Sequence, residues 1–465
     1  MMPKQSQKRK QRQHGLQCVS SSYFLLTIMI IMAFEIASSE KGKIEAFVVP
    51  KAATTIKVTT ALFAKKKATK KKKSSSGAGS SLKGFGGGTA TSSDESATGA
   101  AKIDKSAKAL SFYNYIETNE QGGNNLKRVA LATFPPANIR GLVALRDIKK
   151  GDAILDIPYE LALDLGVENS DPTLPAVTLL QKYCTYLNSD GSTIDGPYME
   201  LLPEYKGRDS LTSTDFFSAE ALEKLQHPLI VEETLNRREK TKQRYESDVM
   251  PNIQNFQWKD GSNSAAATLD HLQWAVWLIT SRVLTVQTTD TKPANRLMIP
   301  LLDMCNHDRH SQHVLTGRAI PGARLKVLAG CNVKAGEQIL ISYGGGLEGN
   351  DRFIQDYGFL DVYGKDEGKV AFEFVGASLV GSSTGGFGKR PSAASAVGGR
   401  RMSKVDRERT LEALGRTSLE EDEEELKQLS EKEGESDNCD LMQVKEALEF
   451  RIGVKKALSI LKQTT

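Results

Sequence analysis

The chain has 465 residues and a formal charge of +5 at pH 7, and the positive excess lies in its first hundred residues. The remainder is long enough for two domains, and the leader's charge assigns it no nucleic-acid partner. Five cysteines, Cys18, Cys184, Cys305, Cys331 and Cys439, include no Cys-x-x-Cys pair, which excludes a disulfide-built secreted scaffold and a cysteine-rich zinc knot.

Lys4, Lys8, Arg9, Lys10 and Arg12 precede an apolar run from Tyr23 to Phe34 that ends at Glu35, with small Ala37, Ser38 and Ser39 next. This is the layout of a signal peptide, short for a bilayer span. Ile44 to Pro50 and a Thr-, Lys- and Ala-rich stretch poor in acids follow. A signal peptide cleaved before Phe and followed by such a stretch resembles the bipartite plastid presequence of algae with secondary plastids. That resemblance implies the plastid stroma, with no membrane span after processing; a retained signal anchor is the alternative. Seven lysines in Lys65–Lys73 also fit a nuclear-localisation or nucleic-acid patch, which the hydrophobic leader disfavours. Lys83 to Ala100 reads as a Gly/Ser linker, and presequence plus linker are placed at 1–105.

Arg140 to Ile148 and Lys150 to Pro158 open the folded part with two apolar segments. Lys149-Lys150-Gly151-Asp152 is echoed by Lys334-Ala335-Gly336-Glu337, each before an apolar strand, and reads as two similar turns. A long stretch, about 171–298, follows. Its last part, Leu269 to Val286, reads as a helix with Leu272, Val276, Ile279 and Val283 at helical spacing and Asp270 near its start. Arg282 interrupts that apolar surface, either as a snorkelling side chain or as a ligand contact.

Ile299, Leu301, Leu302 and Met304 then form an apolar run that emerges at Asn306 and His307, polar side chains able to hydrogen-bond a ligand. In Gln338 to Tyr343, the residues Ile339, Ile341 and Tyr343 alternate with Leu340 and Ser342, so a strand ends in Tyr343-Gly344 with the ring anchored in a core and its hydroxyl at the rim. Cys305, His307, His310 and His313 are also candidate metal donors packed into nine residues, but no second pair of thiols accompanies them, and no metal is expected. Tyr357 and Phe359 are core aromatics or a channel wall. The 376–401 segment, rich in Gly, Ser and Ala, reads as a flexible insertion. Glu420 to Glu425 read as a solvated helix start, and Leu441, Val444, Leu448 and Ile452 as one apolar helix face.

The segments Leu301-Leu302-Asp303-Met304-Cys305-Asn306-His307 and Ile339-Leu340-Ile341-Ser342-Tyr343-Gly344, in this order and spacing, resemble the two signatures of SET-domain methyltransferases. With Arg140-Gly141, Ser281-Arg282, Pro197-Tyr198, Leu201-Leu202-Pro203, Tyr357-Gly358-Phe359 and the Ala447–Leu458 run, the chain from Phe112 onward resembles the Rubisco large-subunit lysine methyltransferase family. The resemblance implies an α+β fold: a SET domain over 106–362, with small β-sheets, a pseudoknot and a helical insertion at about 171–298. A smaller all-α substrate-binding domain over 363–465 follows.

The resemblance implies S-adenosylmethionine as cofactor and a protein substrate. It assigns Tyr343 to catalysis. Asn138, Ile139, Arg140, Gly141, Arg282, Asn306 and His307 are assigned to the cofactor, and Asp303, Tyr357 and Phe359 to the substrate. Two positions depart from the family pattern: Ile139 stands where a glycine allows close backbone approach, and Val286 where a second arginine is usual. The expected function is a plastid protein-lysine N-methyltransferase acting on an enzyme such as the Rubisco large subunit or fructose-bisphosphate aldolase. A protein-histidine methyltransferase and a catalytically inactive SET-fold binding protein are the alternatives. The oligomeric state is not indicated.

Overall fold

The computed structural model describes residues 101–135, 138–169, 171–189, 192–207, 211–343, 349–360, 403–431 and 439–464. The presequence reading over residues 1–100, Gly344 and the 376–401 segment lie outside these residues. The linker boundary at 105 moves: β1 (Lys102–Ile103) already pairs with β2 (Val129–Phe134), Lys102 opposite Thr133. Ile103 supplies the reason, packing against Ala130, Ala132 and Val143. Helix α1 (Ala107–Asn119) follows, capped by the Ser106 hydroxyl, which accepts from the Ala109 amide, and it buries Phe112 and Ile116.

β2 and β3 (Ile139–Ala144) form an antiparallel hairpin. β4 (Ala153–Pro158) and β5 (Leu163–Val167) belong to separate three-stranded sheets. Helices α2 (Thr173–Asn188), α3 (Gly196–Met199), α4 (Ala219–Lys224), α5 (Pro228–Arg244) and α6 (Leu269–Arg282) fill most of the long middle stretch. The stretch also holds strands: a hairpin of β6 (Gln257–Asp260) and β7 (Asn263–Ala266), then β8 (Leu284–Val286) and β9 (Asn295–Met298), which complete the sheet of β5. The helix expected over Leu269–Val286 therefore stops at Arg282. Val283 turns extended (φ −84°, ψ 134°), and Val283, Thr285 and Val286, stiff at Cβ, suit the strand that pairs with β9.

β10 (Asn306–His307), β11 (Val314–Thr316), β12 (Arg324–Leu328) and β13 (Gln338–Ile341) follow. The largest sheet has the order β1-β2-β3-β13-β10; β13 is antiparallel to β3 and parallel to β10, with Asn306 opposite Leu340 and His307 opposite Ile341. Between β10 and β13 the chain leaves to build another sheet, β11-β12-β4. That excursion and return brings the two signature segments side by side. The echoed turns are alike, with Gly151 and Gly336 at φ +90° and +88°, a left-handed conformation that favours glycine.

Helices α7 (Lys404–Leu414), α8 (Leu419–Glu431) and α9 (Cys439–Thr464) close the described chain. They do not make a core of their own: Leu414, Val444, Leu448 and Phe450 pack with Phe217, Leu222, Leu225 and Ile230 from the middle stretch and with Ile354. The acidic run is not wholly solvated. Asp422 is fully buried, and its carboxylate accepts from Arg451 Nε at 3.0 Å, Arg451 Nη2 at 2.8 Å and Lys455 Nζ at 2.6 Å. A helix turn places Asp422 and Glu425 on one face, inward, while their neighbours face water. Among the described residues no helix is long and apolar enough to cross a membrane.

Burial alone would raise the Asp422 carboxyl, but hydrogen bonds from Lys455, Thr417 and Arg451 outweigh it and hold its pKa below the ordinary value. A depressed folded pKa contributes stability that is complete above the unfolded value, about 3.9, and is lost as pH falls through the folded value. Arg451→Met should cost about 3–5 kcal/mol at pH 7 by leaving a buried carboxylate short of its main partner. Urea denaturation at pH 7 and pH 3 checks this; a loss under 1 kcal/mol at pH 7, or one that does not shrink at pH 3, contradicts it.

Candidate active site

Ile299, Leu301, Leu302, Met304 and Cys305 are all buried, so the segment before Asn306 is an anchored core strip. Leu301 enters it at φ +67°, a strained conformation for a branched side chain that costs on the order of 1–3 kcal/mol and is held by its surroundings. Two bonds lace this strip to the end of β13. The Tyr343 hydroxyl donates to the Cys305 carbonyl at 2.6 Å, and the Tyr343 amide donates to His307 Nδ1 at 3.0 Å. Burial drives the Tyr343 phenol pKa upward, with nearby Arg282 opposing and Cys305 and Asp303 adding to the rise; the hydroxyl stays a donor at neutral pH.

Asn306 Nδ2 donates to the Arg140 carbonyl at 2.9 Å, which brings β3 to the same place. Gly141 keeps the space tight there: a Cβ would lie 2.7 Å from Asn306 Nδ2 and 2.8 Å from Gln338 Nε2, so those amides would have to shift. Ile139 is 54% exposed, and Asn138 adopts φ +55°, the left-handed region that asparagine tolerates. Arg140 donates from its guanidinium to the Leu201 carbonyl.

Asp303 sits behind the strip with no side-chain exposure. Tyr198 donates to its Oδ2 at 2.8 Å, while Arg282 Nη1 donates to its backbone carbonyl at 2.8 Å and lies 3.8 Å from Oδ2. Burial raises the Asp303 pKa, with Arg282 and Tyr198 opposing. Its carboxylate is enclosed and offers a substrate no surface. Arg282 Nε, Asp303 Oδ1 and Ser342 Oγ are buried without a hydrogen-bond partner among the described residues. Orphaned polar atoms of this kind cost about 1–3 kcal/mol each unless a ligand meets them.

An aromatic wall faces Tyr343. The Tyr357 ring stacks on it with centroids 4.8 Å apart and planes 26° apart, and Phe359 stands 6.3 Å away nearly edge-on. His307 lies 5.1 Å from Tyr343 and 4.7 Å from Phe353. Tyr343, Asn306, His307, Gly141, Arg282, Tyr357 and Phe359 therefore converge, while Ile139 is largely exposed.

Sequence reasoning left out three contributors. Tyr198 appeared only as a landmark, and no local signal pairs it with Asp303, 105 residues on. Phe353 lay in an unremarkable apolar stretch, and Gln338 passed as the first residue of a strand. Among the described residues no cluster of three or more His, Cys, Asp or Glu is arranged for a metal ion; His313 Nδ1 instead accepts from the Gly330 amide.

Comparison with known proteins agrees with this geometry. Residues 139–344 match the SET domain family. The chain is 27% identical over 267 residues to the chloroplastic [Fructose-bisphosphate aldolase]-lysine N-methyltransferase of Arabidopsis thaliana, covering 54% of this chain and 51% of that one. It is 25% identical over 264 residues to the Actin-histidine N-methyltransferase of Xenopus tropicalis, covering 53% and 43%. The chain thus spans about half the length of the relatives it matches. A crystal structure of the SET domain of LSMT bound to methyl-lysine and AdoHcy shares the fold, with a TM-score of 0.50 at 19% identity over 78% of this chain and 91% of that one. The paired segments carrying Asn306-His307 and Tyr343, the small sheets around them and the family match together give residues 139–344 the SET-domain fold.

Proposed function

We propose that the protein is an S-adenosylmethionine-dependent protein-lysine N-methyltransferase of the plastid. The observation that carries the reading is the Tyr343 hydroxyl, held on the Cys305 carbonyl where the two laced segments meet, with the Tyr357 ring stacked on its own. Relatives of both acceptor types match at similar identity, so a protein-histidine methyltransferase is the second reading. The leader and the chloroplastic relative support the plastid. A stromal enzyme such as aldolase or the Rubisco large subunit is the expected substrate.

The residues fit the cofactor. Arg282 offers a buried unpartnered N–H to a carboxylate, and Asn306 and His307 offer polar edges beside the β3 backbone. When bound, the cofactor supplies a methyl group on a sulfonium. The chain's own part is alignment and exclusion of water. The aromatic wall of Tyr357 and Phe359 holds the acceptor's aliphatic stem and admits a neutral amine more readily than an ammonium, which has no lone pair and is costly to desolvate. The Tyr343 hydroxyl, fixed on the Cys305 carbonyl, lends its oxygen to the polarised methyl region and orients the amine. Asp303 touches no acceptor; it steadies Arg282 from behind, with Tyr198.

Incubating the full chain with radiolabelled S-adenosylmethionine and stromal extract, then analysing labelled bands by mass spectrometry, tests the reading. Methyl-lysine on a stromal protein is the expected product; methyl-histidine selects the second reading, and cofactor binding with no labelled protein selects the inactive one. Tyr343→Phe should lower the methylation rate by about 100-fold or more while leaving cofactor affinity within about twofold; an unchanged rate removes Tyr343 from catalysis. Asn306→Ala should weaken cofactor binding by about 1–3 kcal/mol in calorimetry, and equal affinity would refute its role.

A further inference from the structure

The turn Phe353–Tyr357 decides where the aromatic wall stands, because Tyr357 ends it and Phe359 follows Gly358. One side of this turn is tied to the 212–213 loop: Ser213 Oγ donates to the Gln355 carbonyl at 2.9 Å, and Gly358, at φ +78°, leaves a Cβ no room beside Thr212 and Ser213. Ile354 anchors it in the core shared with the C-terminal helices, and a further side is open. It borders a cleft of about 470 Å³ lined by Arg237, Glu233, Lys240, Thr280, Arg352 and Asp356, among others.

Across that open side an ion-pair clamp does the holding. Arg237, from α5, places Nη1 at 2.8 Å from Asp356 Oδ1 and Nε at 3.1 Å from Asp215 Oδ1. Arg352 adds Nη1 at 3.5 Å from Asp356 Oδ2, and Thr280 Oγ1 lies 3.4 Å from the Asp356 carbonyl. Asp215 has no side-chain exposure and Arg237 only 13%. Burial disfavours the charged guanidinium, but Asp215 and Asp356 outweigh it and keep Arg237 charged. Buried ion pairs add little net stability over apolar packing. What this one supplies is a directed hydrogen bond from Nη1 to Asp356, adjacent in sequence to Tyr357, with Asp215 beside Nε as a buried counter-charge.

We propose that Arg237 is a positioning residue for methyl transfer: by holding Asp356 it fixes the Tyr357 ring against Tyr343, and with it the angle at which the acceptor nitrogen is presented. This rests on the methyltransferase reading above. Arg237→Lys keeps the charge and loses the planar guanidinium; Asp356→Asn keeps the volume and loses the charge, and serves if the first variant does not fold.

Each variant is compared with wild type in three measurements: a crystal structure, S-adenosylmethionine affinity by calorimetry, and kcat, KM and the ratio of mono- to trimethylated product on the labelled stromal protein or on free L-lysine. The expected result is a disrupted Tyr343–Tyr357 stack with cofactor affinity unchanged. kcat should fall about 10- to 100-fold, KM should move little and the product ratio should shift. An intact stack at wild-type spacing, or wild-type kcat and product ratio, overturns the proposal. If wild-type protein methylates neither probe, the methyltransferase reading fails, and the crystal structures still decide whether Arg237 sets the ring.

Discussion

The parallel pairing of Asn306-His307 with the strand that runs into Tyr343 is the constraint on which the site depends. Each segment satisfies the other's polar groups: a carbonyl of one takes the phenol of the other, and an imidazole of one takes an amide of the other. Neither arrangement has a local substitute, because the thirty residues between them are engaged in a different sheet. β3 then approaches so closely that a side chain at Gly141 would displace the Asn306 and Gln338 amides.

The helices of the middle stretch serve this pairing by delivering cations to buried carboxylates. Arg282 at the end of α6 reaches Asp303, and Arg237 midway along α5 reaches Asp215 and Asp356. In a medium of low polarity a lone carboxylate is expensive, and placing an arginine beside each one converts that expense into orientation. Both arginines act one residue or one turn from a group that borders Tyr343. The helical stretch is thus a frame that aims side chains, with its own apolar faces buried in the common core.

The residues legible in the sequence are those whose chemistry is local. Asn306, His307 and Tyr343 follow from apolar runs that end in polar side chains, and the turns at Gly151 and Gly336 follow from an echoed tetrapeptide. The end of α6 was misjudged by four residues, since Val283 continues a helical apolar stripe as well as it begins a strand, and the partner strand Asn295–Met298 lies beyond any local window. Asp422 was misjudged for a like reason: inside a run of six acids nothing marks the one that faces Arg451. Tyr198 and Arg237 were illegible because the partners through which they bear on the site, Asp303 and Asp356, lie more than a hundred residues away.

The shared core of the C-terminal helices bears on the order of events during synthesis. Phe217, Leu222, Leu225 and Ile230 are made well before their neighbours Leu448, Phe450 and Val454. Long-range closure of this kind is slow and leaves apolar surface open while the chain emerges. Ile354, one residue into the turn that bears Tyr357, belongs to the same core. The aromatic wall therefore acquires its final support only when α9 docks, so that a nascent or truncated chain holds a side-by-side pair of signature segments without a finished acceptor wall.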